Sequence, residues 1–397
     1  MHSILIKLCF LCKTLYHRLL FFIFKLIPID DNKIVFLNLH SSRFTGNNRA
    51  IYNEMKNRGI KLNYILISLD DIKLTGMNNL QKIIKSSKID FHICTAKYII
   101  LNDYYSLFSM CRLRKETDLI QVWHGGGAFK KFGKDSLRNI LNKENMRKTI
   151  KGHSQYTKVI VSSKEVASIY ANAFGISMEK IYPIGIPRAD IFFDNRNMEK
   201  IKQKLLNKYP YLEGKKIILY APTFRDNNRY NNSLALNLEY LMNGISDNYV
   251  FIFKMHPFER GKIKIDEKLS SKVFDMSNEE INDLLIMTDI LITDYSSLIF
   301  EYAILQRPMI FFAYDLDEYR SKVRGFYYDY VKFVPGPIAY TTEEIVELIN
   351  RNEWDFEVIK EFAIRFNEYF DGKATERFID EVLFKHKVNI KKAGETI

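Results

Sequence analysis

The chain has 397 residues, 47% of them hydrophobic and 27% charged, with a formal net charge of +12. That composition excludes a disordered chain, and the length suggests about two domains, each able to bury an ordinary core. The excess of cations calls for a partner with negative charge, be it nucleic acid, anionic lipid or a phosphate-rich substrate, and charge alone does not choose among them.

Residues 1–29 carry Lys7, Lys13, Arg18 and Lys25, with no acid before Asp30, among residues that are mostly Leu, Ile and Phe. The longest strongly apolar run, 19–24, is far shorter than the roughly 20 residues a spanning helix needs. Leu8, Leu11, Leu15 and Leu19 recur between the basic residues, which suits an N-terminal amphipathic helix lying in a membrane interface with its cations toward anionic headgroups. Two other readings stand beside it: a signal peptide, although no small-residue cleavage site follows the run, and a helix packed on the first domain. The cysteines Cys9, Cys12, Cys94 and Cys111 show no paired spacing for a zinc site or a disulfide framework, and they read as reduced and cytosolic.

From Lys33 onward, short β-rich runs at 34–39, 64–68, 98–101, 119–123 and 159–161 alternate with amphipathic stretches, and a second series follows at 216–220, 249–255, 290–293 and 309–312. Such alternation predicts an α/β fold of parallel sheets with helical crossovers. The polar, lysine-rich stretch 195–214 reads as a helix and turn joining two halves. The expected division is a basic surface segment at 1–29, a first Rossmann-like domain at 30–205, a second at 206–385 and a basic tail at 386–397. Residues 342–384 are helical in pattern.

The informative residues follow strands, where open α/β sheets place ligands outside the carboxyl edge. The first run is Gln121-Val122-Trp123-His124-Gly125-Gly126-Gly127, followed by Lys130, Lys131 and Gly133. A histidine leaving a buried strand suits proton abstraction from a hydroxyl near neutral pH, and glycines let backbone N–H groups approach an anion. A tight turn with a solvated histidine fits the same residues. The basic stretch 134–158, with Lys134, Arg138, Lys143, Arg147, Lys148, Lys151 and Lys158, either steers a polyanion or is a solvated helix face.

In the second half, Tyr220-Ala221-Pro222-Thr223-Phe224-Arg225-Asp226 ends a strand with a hydroxyl and a forked cation, both natural phosphate ligands. Lys254-Met255-His256-Pro257 places a second histidine at a strand end, to donate to a phosphate oxygen or to cap the sheet edge. Thr293-Asp294-Tyr295-Ser296-Ser297 precedes a helix-like run to Leu305, which offers an anion site at a helix N-terminus or ordinary N-capping. Glu301 follows on that run, to meet ribose hydroxyls or to form an ion pair. Together these residues suit transfer between a phosphoanhydride donor and an alcohol acceptor. No GxxxxGK[ST] run supports a P-loop nucleotidase, and no metal-ligand spacing is present, so neither metal nor cofactor is expected.

At these residues the chain resembles the CDP-glycerol glycerophosphotransferase family of teichoic-acid and capsule synthesis. The Trp-His-Gly loop with its lysine pair, 221–226, His256-Pro257, 292–297, 307–312, Tyr314-Asp315-Leu316, 324–327 and 335–337 carry the likeness, in order, over most of residues 119–340. The resemblance implies two Rossmann-like domains facing a central crevice, the glycosyltransferase B type, and peripheral attachment at the cytoplasmic face of the cell membrane. It implies that His124 is the base and His256 the holder of the pyrophosphate. Thr223, Arg225, Asp294, Ser296, Ser297 and Glu301 then form the donor side, and Gly125, Lys130 and Lys131 steer acceptor or phosphate. The family loop commonly reads Trp-His-Gly-Thr-Pro, whereas Gly126 and Gly127 stand here, which leaves the histidine in place and changes the shape on the acceptor side.

The expected function is transfer of a polyol phosphate, glycerol phosphate first, from a CDP-polyol to a hydroxyl of a membrane-linked teichoic-acid or capsule polymer, with CMP released. The alternatives are a CDP-ribitol-using transferase, a nucleotide-sugar glycosyltransferase of the same fold, and a non-catalytic basic protein binding an anionic membrane surface. A nucleic-acid partner is not expected, because the cations are spread over both halves without interleaved aromatic signatures.

Overall fold

The β-rich runs pair into two six-stranded, wholly parallel sheets. The computed structural model describes residues 2–39, 41–136, 143–223, 234–255, 263–323 and 325–384. The first sheet holds β1 (Asp30–Asn38), β2 (Asn63–Ser68), β3 (Ala96–Leu101), β4 (Asp118–Gln121), β5 (Lys158–Val161) and β6 (Ile181–Pro183), in the order β2-β1-β3-β4-β5-β6. The second holds β7 (Lys216–Tyr220), β8 (Tyr249–Phe253), β9 (Val273–Asp275), β10 (Ile290–Thr293), β11 (Met309–Phe312) and β12 (Ile338–Ala339), in the order β12-β11-β10-β7-β8-β9. Strand order reverses between β1 and β3 in one sheet and between β7 and β10 in the other, and these are the points where such sheets open a ligand crevice.

Strands β7, β10 and β11 lie where the sequence puts them. Because helices cover both faces of a parallel sheet, such strands read as unbroken apolar runs, and β8 and β10 are buried at every residue. The expected run 119–123 stops at Gln121, since Trp123 turns to a φ of +48° and leaves the sheet. Strands β6, β9 and β12 escape sequence reading. Each is two or three residues long and sits at a sheet edge, too short for a periodic signal, and β6 ends on Pro183, which only an edge tolerates.

The chain divides into two compact units. Unit 1 comprises Met1–Gly125, Phe132–Asp190 and the chain from Lys373, and unit 2 comprises Gly126–Lys131 and Ile191–Gly372. The helix Asn195–Lys208, expected as the joint, is grouped with unit 2, where Lys208 and Tyr209 both bind Glu279 at 2.6 Å. Of the C-terminal helical stretch, 342–372 stays in unit 2 and the part from Lys373 is grouped with unit 1. Asp190 accepts from the backbone amides of Ala374 and Thr375 at 2.9 and 2.7 Å, Arg377 donates to the Ile184 carbonyl at 3.0 Å, and Phe378, Ile379, Val382 and Leu383 are buried with the β1, β3 and β4 side chains.

Residues His2–Phe24 form a helix. Thr14, His17 and Phe21 are buried, whereas Leu11, Leu15, Leu19, Phe22 and Leu26 are 52–76% exposed. The buried side lies on the helix Asn79–Thr95, where Tyr16 meets Ser87 at 2.8 Å and His17 meets Asp90 at 2.6 Å. One side of this helix thus packs on unit 1, and the other leaves apolar side chains exposed.

Candidate active site

In unit 1 the site is built on the end of β4. Gln121 is fully buried and holds three partners: its Nε2 donates to the Asp103 carbonyl at 3.2 Å and to the Tyr156 hydroxyl at 3.0 Å, and its Oε1 accepts from the Trp123 amide at 2.9 Å. That grip holds Trp123 in the left-handed backbone region, a conformation that costs a non-glycine residue about 1–2 kcal/mol. Asn47 Nδ2 donates to the carbonyls of Val122 and Trp123 at 2.9 and 3.0 Å, Arg188 to that of His124 at 2.9 Å, and the Tyr170 hydroxyl to that of Gly125 at 3.2 Å. The His124 ring stacks on Trp123 with centroids 4.5 Å apart. Its Nδ1 lies 3.1 Å from the Asn102 carbonyl and 3.9 Å from the Asp103 carboxylate. His153, buried among Tyr104, Tyr156 and Phe174, is pushed down to about 4 by burial and so stays neutral at physiological pH.

The next residues, Gly126–Lys131, pack within unit 2. Lys130 bridges to Phe326, the Lys131 amide donates to the Gly325 carbonyl at 3.1 Å, and the Tyr327 amide donates to that of Phe129 at 3.0 Å. A Cβ on Gly127 would stand 2.4 Å from the Phe300 ring, and one on Gly126 would stand 3.3 Å from Phe300 Cβ and 3.7 Å from Glu301. Phe300 thus fills the space a side chain at Gly127 would take and crowds one at Gly126.

On the donor side of the expected site, the ends of β7 and β10 are pinned together at the reversal of the second sheet. The Asp294 carboxylate, 1% exposed, accepts from the amides of Thr223 at 2.8 Å and of Tyr295, and its carbonyl accepts from the Tyr330 hydroxyl at 3.1 Å. Thr293 donates to the Ala221 carbonyl at 2.7 Å. Ser296 and Ser297 are half-buried, and Ser296 Oγ accepts from the Leu298 amide at 3.4 Å. The helix they open, Ile299–Tyr302, is a single turn that tightens to a 3₁₀ turn over Ala303–Leu305, rather than a continuous helix to Leu305. Glu301 is buried on it. Strand β8 ends at Phe253 and is followed by Lys254, which donates to the carbonyls of Ser277 and Glu279, and Met255, whose amide donates to Ser277 Oγ at 2.9 Å. Arg225 and His256 lie outside the described residues.

Thr223, Asp294, Ser296, Ser297 and Glu301 therefore share unit 2 with Lys130 and Lys131, and His124 and Gly125 belong to unit 1. Sequence reasoning missed Asn102, Asp103 and Arg188. The first two directly follow the strand that pairs with β4, and only the register Leu101 opposite Gln121 brings them to the histidine.

Residues 19–384 match the family model described as CDP-Glycerol:Poly(glycerophosphate) glycerophosphotransferase. The teichoic acid poly(ribitol-phosphate) polymerase of Bacillus spizizenii is 39% identical over 91% of this chain, and this chain spans 58% of that protein's length. The teichoic acid glycerol-phosphate primase of Bacillus subtilis is 34% identical over 85% of this chain and 89% of its own. Among solved structures, the wall teichoic acid polymerase TagF, as a histidine-to-asparagine variant with CDPG, superposes with a TM-score of 0.78 at 25% identity, over 90% of this chain and 89% of that one.

Proposed function

The chain belongs to the CDP-glycerol:poly(glycerophosphate) glycerophosphotransferase family, and from that premise we propose that it moves a polyol phosphate from a CDP-polyol to a hydroxyl of a membrane-linked teichoic-acid or capsule polymer. The acceptor oxygen attacks the donor's β-phosphorus, the bond from that phosphorus to the bridging oxygen breaks, and CMP leaves. The observation that carries the reading is His124, anchored by its Nδ1 side at the carboxyl edge of β4. In phosphoryl transfer the protein's work is positioning and charge stabilisation, and His124 suits removal of the acceptor's proton as the new phosphodiester forms. In unit 2, Thr223, Ser296 and Ser297, with Arg225 and His256, are assigned to the donor phosphates, and Glu301 to the ribose. Asp294 contributes by holding the Thr223 amide in place. Gly125, Lys130 and Lys131 are assigned to acceptor or phosphate steering. Unit 1 is the acceptor side and unit 2 the CDP side.

A second reading of the polyol has specific support, since the 39% relative is a ribitol-phosphate polymerase and the 34% relative a glycerol-phosphate primase. Purified protein incubated with CDP-glycerol, CDP-ribitol and a set of nucleotide sugars is expected to release CMP from a CDP-polyol and no nucleotide from the sugars. Turnover of a nucleotide sugar alone would move the chain to glycosyl transfer, and the faster of the two CDP-polyols identifies the unit.

Attachment to the cytoplasmic face of the membrane is assigned to the exposed stripe Leu11, Leu15, Leu19, Phe22 and Leu26. No described helix is long and apolar enough to cross a membrane, so the stripe would lie in the interface. Lys148, in the basic helix Lys143–His153, stands 4.1 Å over the Phe10 ring, which sets cations beside the apolar residues as an anionic surface requires. Deleting residues 1–29 is a poor test, because it also strips the cover from Asp90. Leu15→Glu with Leu19→Glu and Phe22→Glu changes only exposed positions and is expected to abolish flotation with anionic liposomes while leaving the melting temperature within a few degrees. Equal flotation of the triple variant and the parent would remove the assignment.

A further inference from the structure

We propose that Asp103 is the positioning residue for His124: together with the Asn102 carbonyl it fixes the ring so that Nε2 is the basic nitrogen, and it stabilises the ring once that nitrogen has taken a proton. The inference rests on the reading of His124 as the base.

The placement follows from strand register. Leu101 lies opposite Gln121 in the parallel pair of β3 and β4, and the Val122 amide donates to the Leu101 carbonyl at 2.9 Å, so the loops leaving the two strands start side by side. Asn102 is locked in that loop: its Nδ2 donates to Asn38 Oδ1 at 2.8 Å and its Oδ1 accepts from the Leu39 amide at 2.9 Å. Asp103 is oriented by the Tyr104 amide, which donates to its Oδ1 at 2.7 Å, and its carbonyl accepts from Gln121. Because Gln121 also holds the Trp123 amide, one buried side chain sets both loops in register.

A carbonyl oxygen can only accept, so the 3.1 Å contact to Asn102 assigns the proton to Nδ1 and the basic lone pair to Nε2. Proton uptake at Nε2 makes the ring a cation. Among the described residues, two charged groups stand by it. Arg188 donates to the His124 carbonyl at 2.9 Å and opposes a second positive charge, and the Asp103 carboxylate, 3.9 Å from Nδ1, offsets that opposition. The Tyr170 hydroxyl is engaged on the Gly125 carbonyl, and His153, held neutral at physiological pH by burial, changes neither sign. His124 and Asp103 are each about one-third exposed, at 32% and 31%, which limits the coupling to the modest range of partly solvated pairs. The arrangement has the logic of a base whose second nitrogen is oriented by an acceptor and whose charged form is met by a carboxylate.

The test uses the full chain and two readouts. In ¹⁵N imidazole spectra recorded without substrate, the His124 ring is expected to show the Nδ1–H tautomer, and Asp103→Asn is expected to lower its titration midpoint by about one pH unit. In CMP-release assays with the active CDP-polyol, Asp103→Asn is expected to lower kcat about tenfold and move the acidic limb of the pH profile the same way, with the donor KM unchanged. Asp103→Glu should recover part of both, and adding Asp103→Asn to His124→Ala should cost nothing more, because the carboxylate acts through the ring. An unchanged midpoint and kcat in a folded Asp103→Asn protein, beside an inactive His124→Ala protein, would overturn the proposal and leave the base assignment standing. Near-normal turnover of His124→Ala would overturn the base assignment instead, while the substrate-free titration still decides whether Asp103 acts on the ring.

Discussion

Replacing His124 with alanine is expected to lower kcat by about 10²- to 10⁴-fold, the range for losing a positioned general base, while binding of the CDP-polyol survives. The loop should keep its shape in the variant. Asn47, Arg188 and Tyr170 all hold backbone carbonyls of residues 122–125, and Gln121 holds the Trp123 amide, so none of these bonds depends on the imidazole. The residues assigned to the donor phosphates belong to unit 2. Calorimetric titration of the variant with CDP-polyol, next to a CMP-release assay, separates the two effects. Near-normal turnover in a folded variant would sink the base assignment. Asp294 would then be a poor substitute, since its buried carboxylate already accepts from the Thr223 and Tyr295 amides, and a substrate-assisted route would have to be considered.

Much of the candidate site is legible in the sequence because parallel α/β sheets carry ligands where strands end, and a polar residue that follows an unbroken apolar run marks such an end. His124, Thr223 and Asp294 are picked out by that rule, and each does follow a strand, β4, β7 and β10 in turn. Asp103 obeys it too, following the run 98–101, yet it has no neighbour of catalytic type in sequence; only the pairing of β3 with β4 gives it a meaning. The space over Gly127 could not be read, because the ring that fills it is 173 positions further on, at Phe300. The return of the chain to unit 1 is hidden for the same reason. Residues 374–383 show an amphipathic pattern, which announces an apolar face without saying which sheet receives it, and the carboxylate that caps their start is Asp190.

The same blindness to distant partners conceals the buried His17–Asp90 contact that seats the N-terminal helix, and it supports the other large effect. His17→Ala is expected to destabilise the protein by about 3–5 kcal/mol at neutral pH, the cost of removing one partner of a buried pair and stranding the other's charge. Asp90 is 1% exposed, its Oδ2 meets His17 Nδ1 at 2.6 Å, and its Oδ1 has no hydrogen-bond partner among the described residues. Burial raises its carboxyl above the usual range, and the His17 hydrogen bond and the charges of His17 and Lys13 pull it back. Without His17 the rise should grow. A carboxyl raised in the folded state binds its proton there before it does in the unfolded chain, so it lowers stability as pH climbs from the ordinary value of 3.8 through the folded one. The deficit of His17→Ala should therefore be largest near pH 7.5 and shrink toward pH 5, with little response to salt because the pair is buried. Melting curves of the parent and the variant over that range would show it. Adding Asp90→Leu to His17→Leu should recover most of the loss, because replacing both partners with apolar side chains leaves no charge to desolvate. If the single variant melts with the parent at every pH, Asp90 is neutral in the parent as well, and the helix is held by Tyr16 on Ser87, Arg18 on the Met110 carbonyl and Phe24 against Phe91 rather than by charge.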